Sequence, residues 1–239
     1  MVFARKLLPF ASLAALALSS VPAHADAITL DSGDIGQSYS FSFDGFSGGT
    51  TVQGLTSLAT FTLTAISGSS YSFSYSLTNS TGAPLTSRLS GFGFNTDPNI
   101  VSASSTGAFS YTTLNSSYPN GIGAIDVCFK DAPTGSCSGG GSGGLTTGTT
   151  GTGSFTLNFS QPVSSLTLSD FYVRYQSVTG AGNITSASGA GTLTSSSGGG
   201  STSTSSGGTS VPEPGMLGLF GAALVGVGLM RRRRTAAAA

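Results

Sequence analysis

Residues 71–77 read Tyr-Ser-Phe-Ser-Tyr-Ser-Leu, a regular alternation of large apolar and small hydroxyl side chains. The same alternation occurs at 39–44, Tyr-Ser-Phe-Ser-Phe-Asp, and at 60–65, Thr-Phe-Thr-Leu-Thr-Ala. Because successive side chains of a strand point to opposite faces, this period of two predicts strands with one buried and one solvated face. These stretches decide the fold class, which is all-β.

Shorter runs of the same kind predict further strands at 89–94, 109–113, 125–129, 155–159, 166–168 and 171–175. Clusters of Gly, Ser, Asn and Pro separate the runs and are typical of turns. No stretch between them combines helical periodicity with a helix cap. Clean alternation is typical of antiparallel sheets with one wet face. We therefore expect one antiparallel β-sandwich, jelly-roll-like, over residues 26–180.

The N-terminus has the three parts of a secretory signal peptide. Arg5 and Lys6 precede an apolar run at 7–18, and Ala23-His24-Ala25 provides an A-x-A cleavage site. The alternative is an N-terminal membrane anchor, but this run is too short to cross a hydrocarbon core of about 30 Å. We expect residues 1–25 to be removed and the exported chain to begin at Asp26.

A second apolar segment lies near the C-terminus, at 216–230, and four arginines follow it directly: Arg231, Arg232, Arg233 and Arg234. Arginines concentrate on the cytoplasmic side of a membrane segment, so the body of the chain lies outside. At about 1.5 Å per residue the run reaches only about 22 Å, and it is rich in glycine. These features predict a short transmembrane helix that makes a poor permanent anchor.

The tetrapeptide before this segment is Val211, Pro212, Glu213 and Pro214. A Pro-Glu-Pro motif, a short hydrophobic helix and an arginine cluster, in this order, resemble the PEP-CTERM sorting signal of bacterial proteins processed by exosortase. The resemblance implies that Pro212-Glu213-Pro214 is the recognition site, with 211–234 as the signal and 235–239 as a tail. It implies transient membrane insertion, cleavage by the membrane enzyme, and release to the cell surface or extracellular matrix. It also implies a role with exopolysaccharide and biofilm.

Residues 181–210 consist mostly of Ser, Thr, Gly and Ala. Such a composition buries too little apolar surface to offset chain entropy. The sequence therefore predicts a flexible linker between the domain and the sorting signal.

The charges that remain after removal of both ends exclude several functions. Residues 26–210 contain three cations, Arg88, Lys130 and Arg174, against eight aspartates, a net charge of minus five. This acidic body offers no electrostatic footprint for nucleic acid. It also lacks histidine, which excludes Ser-His-Asp and Cys-His mechanisms. We expect no catalytic residues, no enzyme activity and no cofactor.

Two cysteines, Cys128 and Cys137, lie in the exported part. Disulfides persist outside the cytoplasm, so we expect them to pair. A redox or metal site is the alternative, although two cysteines without histidine provide few soft ligands. Residues 91–99, 125–130, 137–140 and 168–176 also resemble the cistern subgroup of PEP-CTERM proteins, which carries such a pair. That resemblance implies no established activity.

Asn95, Asp97 and Asn99 are weak metal candidates. Their oxygens alternate around Pro98 and could bind calcium, a hard cation that prefers oxygen ligands. The alternative, which we favour, is that they form the Asx turn of a proline corner. Asp31 and Asp34 form a second small acidic cluster, and no calcium-loop motif is present. We therefore expect no metal site.

These observations predict an exported structural protein of the exopolysaccharide matrix, with two alternatives. One is a carbohydrate-binding module that uses its seven tyrosines as sugar platforms. The other is a glycan hydrolase that uses two aspartates, for which Asp126 and Asp170 are the best choices. Asp170 lies four residues before Arg174, however, so a structural ion pair explains it more simply.

Overall fold

The structure is a computed structural model that describes residues 26–134, 136–140 and 142–197. The predicted signal peptide at 1–25, the sorting signal at 211–234 and the tail at 235–239 lie outside these residues. The strands are β1 (Ile28–Leu30), β2 (Ser38–Ser47), β3 (Thr50–Ser67), β4 (Ser70–Asn79), β5 (Thr86–Asp97), β6 (Ser102–Gly107), β7 (Tyr111–Tyr118), β8 (Gly123–Lys130), β9 (Leu145–Thr146), β10 (Thr150–Asn158), β11 (Leu166–Thr179) and β12 (Ala187–Ser197). A single 3₁₀ turn, Ser32–Asp34, completes the described elements.

Within the described residues all twelve strands belong to one antiparallel sheet. The order is β6-β10-β4-β3-β2-β12-β11-β5-β8-β7, while β1 pairs with β11 and β9 pairs with β5. The two edge strands, β6 and β7, are consecutive in the chain and contact each other, so the sheet is nearly closed. The prediction of an antiparallel all-β domain is confirmed, with one curled sheet in place of two separate ones.

Aromatic side chains fill the space between the two halves of the sheet. Phe155 of β10 packs on Phe129 of β8 with ring centroids 4.7 Å apart, although these strands are far apart in the sheet order. Phe155 also contacts Phe92 and Phe94 of β5, at 5.9 and 5.7 Å. Offset and tilted ring pairs of this kind stabilise beyond the area that they bury. The halves therefore face each other as the layers of a sandwich do.

The predicted strand pattern holds where large residues alternate. Strands β2, β4 and β8 contain the predicted runs at 39–44, 71–77 and 125–129. The runs at 166–168 and 171–175 are one strand, β11, rather than two. Asp170 has a positive φ of 54°, and the register with β5 shifts between Ser169 and Tyr172. A β-bulge at Asp170 thus inserts one residue without ending the strand.

The linker predicted at 181–210 is wrong over its first half, because β12 spans Ala187–Ser197 and lies between β2 and β11. The domain therefore extends beyond residue 180, at least to residue 197. Gly189 and Gly191 face neighbouring side chains so closely that an added Cβ would lie 2.9 Å from Val173 and 2.8 Å from Phe43. Because these residues of β12 are small, the large side chains of adjacent strands can cover it. This explains how β12 forms a strand although it has few apolar residues of its own.

Candidate functional site

Cys128 and Cys137 form the predicted disulfide, with their Cα atoms 5.6 Å apart. Both residues are buried and pack with Tyr118 and Ile125 in a small cluster separate from the main core. The bond joins two residues that are nine positions apart in the sequence, at the end of β8. The bond ties the loop after β8 back to that strand, and Cys137 Sγ lies 3.7 Å from the carbonyl oxygen of Ser116 in β7.

Lys130 is enclosed by this disulfide loop, and its side chain is 1% exposed. The Nζ atom donates hydrogen bonds to Thr113 Oγ1 at 2.5 Å, to Ser136 O at 2.9 Å and to Thr134 O. Burial lowers the pKa of Lys130, and the neighbouring Asp131 carboxylate partly opposes that shift. The sequence pattern did not indicate this enclosure. The Lys130 ammonium group thus binds uncharged hydroxyl and carbonyl oxygens and connects the disulfide loop to β7.

Asp131 organises the glycine-rich stretch after the disulfide. Its Oδ1 atom accepts a hydrogen bond from Gly140 N at 2.6 Å. A Cβ on Gly143 would lie 2.4 Å from Oδ2, so a larger residue there would displace the Asp131 side chain. Burial raises the pKa of Asp131, and the hydrogen bond from Gly140 opposes this. Gly140 and Gly143 therefore pack closely around this carboxylate.

Asp126 and Asp170, the two candidate hydrolase carboxylates, are joined through Asn95. Asn95 Nδ2 donates to Asp170 Oδ2 at 3.0 Å, and Asn95 Oδ1 accepts from the backbone N–H of Asp126 at 3.0 Å. The Asp126 carboxylate in turn accepts from Thr96 N at 2.8 Å. Each of these groups therefore has a structural partner that links β5, β8 and β11.

The predicted ion pair between Asp170 and Arg174 is wrong: within the described residues the two groups form none. The bulge at Asp170 changes which face the following residues occupy, and Arg174 is buried with Nη1 donating to Ala187 O at 3.0 Å. When the Asn120 amide is oriented with its oxygen toward the guanidinium, Oδ1 accepts from Nη1 at 2.9 Å. Burial lowers the pKa of Arg174. This cation connects β11 to β12.

The weak metal candidates are dispersed. Asn95 uses both ends of its amide as described, whereas Asp97 and Asn99 are exposed at and beyond the end of β5. Asp31 and Asp34 cap the 3₁₀ turn, with Asp31 Oδ1 accepting from Gly33 N at 2.7 Å and Asp34 Oδ2 accepting from Asp31 N at 2.8 Å. Among the described residues, no group of three or more His, Cys, Asp or Glu side chains is arranged so that it could bind a metal ion.

Most tyrosines cannot act as sugar platforms, because Tyr39, Tyr71, Tyr75, Tyr118 and Tyr175 are buried. Tyr172 is half-buried and packs on Tyr118, with ring centroids 5.7 Å apart. Tyr111 is 43% exposed. The tyrosine-rich composition therefore belongs mainly to the core.

An open cleft of about 290 Å³ lies beside the corner that follows β5. It is lined by Pro98 and Asn99 on one side and by residues 159–165 on the other. No lining residue carries a charge, so the cleft offers amide, hydroxyl and proline surfaces to solvent.

None of the helical turns in the described residues is long and apolar enough to cross a membrane.

Comparison with known families identifies the C-terminal end. Residues 210–234 match the family described as PEP-CTERM protein-sorting motif. No curated protein and no solved structure matches the chain. An all-β domain followed by this motif defines an exported protein that is sorted through its C-terminus. The chain carries a PEP-CTERM sorting motif, which marks proteins that are exported and sorted by exosortase to the cell surface or extracellular space.

Proposed function

We propose that the protein is a non-enzymatic structural component of an extracellular polysaccharide matrix and that exosortase sorting delivers it there. The observation that carries this proposal is the sorting motif at 210–234, in a chain whose described residues form one all-β domain. Sorting brings the domain to a compartment where extracellular polymers surround it. The disulfide and the nearly closed sheet suit persistence there, since few strand edges remain for unwanted pairing.

The arrangement of the carboxylates supports a structural role over hydrolysis. A glycan hydrolase needs one carboxyl group as acid and another as base or nucleophile, both facing the bond. Asp126 instead accepts from Thr96 N, and Asp170 accepts from Asn95. A hydrolase role would require turnover of a glycan that is lost in Asp126→Asn or Asp170→Asn.

The test of the proposal is where the exported protein goes and where its C-terminus lies. The intact mass and C-terminal sequence are measured for protein from the medium, the extracellular matrix and the membrane fraction of the host. A matched variant, Glu213→Ala with both flanking prolines replaced by alanine, removes the Pro-Glu-Pro motif.

We expect the unaltered protein in the matrix with the residues after the motif removed, and the variant in the membrane with its tail retained. Matrix protein that still carries 216–230 would contradict cleavage. Processed protein found free in the medium, with none bound to matrix polymer, would contradict the structural role while leaving sorting intact.

A further inference from the structure

One half of the sheet presents rows of hydroxyl side chains on its outer surface. Strand register places six of them side by side across six strands: Ser197, Ser38, Thr62, Ser74, Ser154 and Thr106. The adjacent row contains Ser195, Ser40, Thr60, Ser76 and Thr152. These two rows are called the hydroxyl face.

Hydrogen bonds between neighbouring strands orient the hydroxyl groups of this face. Ser38 and Thr62 lie 2.7 Å apart between oxygens, Ser40 and Thr60 lie 3.0 Å apart, and Thr106 and Ser154 lie 2.9 Å apart. Each such hydroxyl keeps further capacity, since it has one donor and two acceptor sites. The face therefore offers donors and acceptors in fixed positions.

The spacing of the hydroxyl face is set by backbone geometry. Neighbouring strands are about 4.8 Å apart, and residues i and i+2 on one strand are about 6.7 Å apart. The opposite, inward residues of the same strands are the buried aromatics Phe61, Phe73 and Phe155, which hold the strands in place. The result is a regular array of hydroxyl groups on strands whose opposite face packs in the aromatic core.

The two rows carry neither a charged group nor an aromatic ring, although the exported body has a net charge of minus five. A neutral hydroxyl lattice has no attraction for an ionic polymer and no stacking surface for a single sugar. A single hydrogen bond that replaces one with water contributes little to binding. Measurable binding therefore requires a ligand that repeats the same weak contact many times.

We propose that the hydroxyl face is the surface through which this protein binds a neutral polysaccharide, laid across the strands. Such a polymer repeats hydroxyl donors and acceptors without charge, which is the chemistry that this lattice complements. The inference rests on the proposed matrix function and names its partner and its contact surface. It differs from binding in a sugar pocket, because the polymer binds and a short saccharide does not.

The test uses the protein purified from its host and co-sedimentation with an insoluble neutral glucan. A face variant combines Thr60→Val, Thr62→Val, Ser74→Ala and Ser76→Ala, which removes four hydroxyls and retains strand-compatible side chains. We expect at least a tenfold loss of apparent affinity, little change with salt, and no competition by free glucose.

Two matched variants separate loss of binding from loss of fold. Thr86→Val with Thr179→Val removes an exposed hydroxyl pair, 2.6 Å apart, from the other half of the sheet and should leave binding unchanged. Thr60→Ser with Thr62→Ser keeps the hydroxyls and should also bind. Thermal unfolding of each variant checks that the sheet is intact.

Several results would overturn the inference. These are equal binding by the face variant, equal loss in the Thr86 and Thr179 variant, no binding of the unaltered protein to any neutral glucan, or preferential binding to alginate that salt abolishes. Each of these leaves the matrix localisation experiment unaffected, so a failed contact surface can be told apart from a failed matrix role.

Discussion

At the scale of single residues, Asn95 shows how one polar side chain can join three strands of a sheet. One amide satisfies the backbone of β8 through Asp126 N and the side chain of β11 through Asp170. Asp170 sits at the bulge of β11, so its partner also fixes where the extra residue lies. Bulges change the direction of a strand, and a fixed bulge keeps the later pairing in register.

Replacing Asn95 by leucine should lower the free energy of unfolding by about 1–3 kcal/mol, because it leaves a backbone N–H and a carboxylate without their partner. Denaturant unfolding would measure the change. Asn99→Leu is the matched control, since Asn99 is exposed beyond the strand. That variant should differ from the unaltered protein by less than about 0.5 kcal/mol. Equal effects at both positions would contradict the linking role of Asn95.

The disulfide between Cys128 and Cys137 should contribute about 2.5 kcal/mol on the chain-entropy model for a short loop. The variant Cys128→Ala with Cys137→Ala should therefore unfold at lower denaturant concentration than the oxidised protein. Addition of reductant should destabilise the unaltered protein and have no effect on the double variant. If the oxidised protein and the variant were equally stable, the loop would be held by Lys130 and its carbonyl partners alone.

At the scale of elements, β12 shows how far alternation in the sequence can predict the sheet. β4 was predictable because each inward position carries Tyr, Phe or Leu. In β12 the inward positions include Gly189 and Gly191, whose neighbours Val173, Phe43 and Phe171 fill the space. The apolar surface that holds β12 belongs to other strands, so no local pattern could reveal it. The same holds for the enclosure of Lys130, which depends on a loop closed by the disulfide.

The position of β12 predicts the effect of shortening the exported chain. A chain of residues 26–180 lacks β12, so the edges of β2 and β11 would lose their partner and the sheet would open between them. A chain of residues 26–197 keeps every described strand. We expect cooperative unfolding from the longer chain and aggregation or dye binding from the shorter one. Cooperative unfolding of both chains, with equal midpoints, would contradict a central role for β12.

At the scale of the whole molecule, the same buried aromatic groups that build the core couple stability to alkaline pH. Burial raises the pKa of Tyr71, Tyr75, Tyr118, Tyr172 and Tyr175 above the ordinary value for tyrosine. Burial, followed by the charge of Asp34, raises the pKa of Tyr39 to about 12. Lys130 has the opposite sign, because burial lowers its pKa and its deprotonation with rising pH favours the folded state.

These shifts predict that the free energy of unfolding falls as the pH rises above about 10. An unfolded tyrosine loses its proton near pH 10, whereas the folded protein retains it, so the unfolded state binds fewer protons and stability decreases with pH. For Tyr39 the stabilisation is complete below about pH 10 and is lost progressively up to about pH 12. Six tyrosines act in this direction, whereas two described cations, Lys130 and Arg174, have lowered pKa values and act in the opposite one, so the tyrosines set the sign of the total. Denaturant unfolding between pH 8 and about pH 11 would measure this for the unaltered protein and for Tyr39→Phe. The free energy of unfolding should decline less steeply with pH in the variant. Identical declines would place the alkaline sensitivity in the other tyrosines.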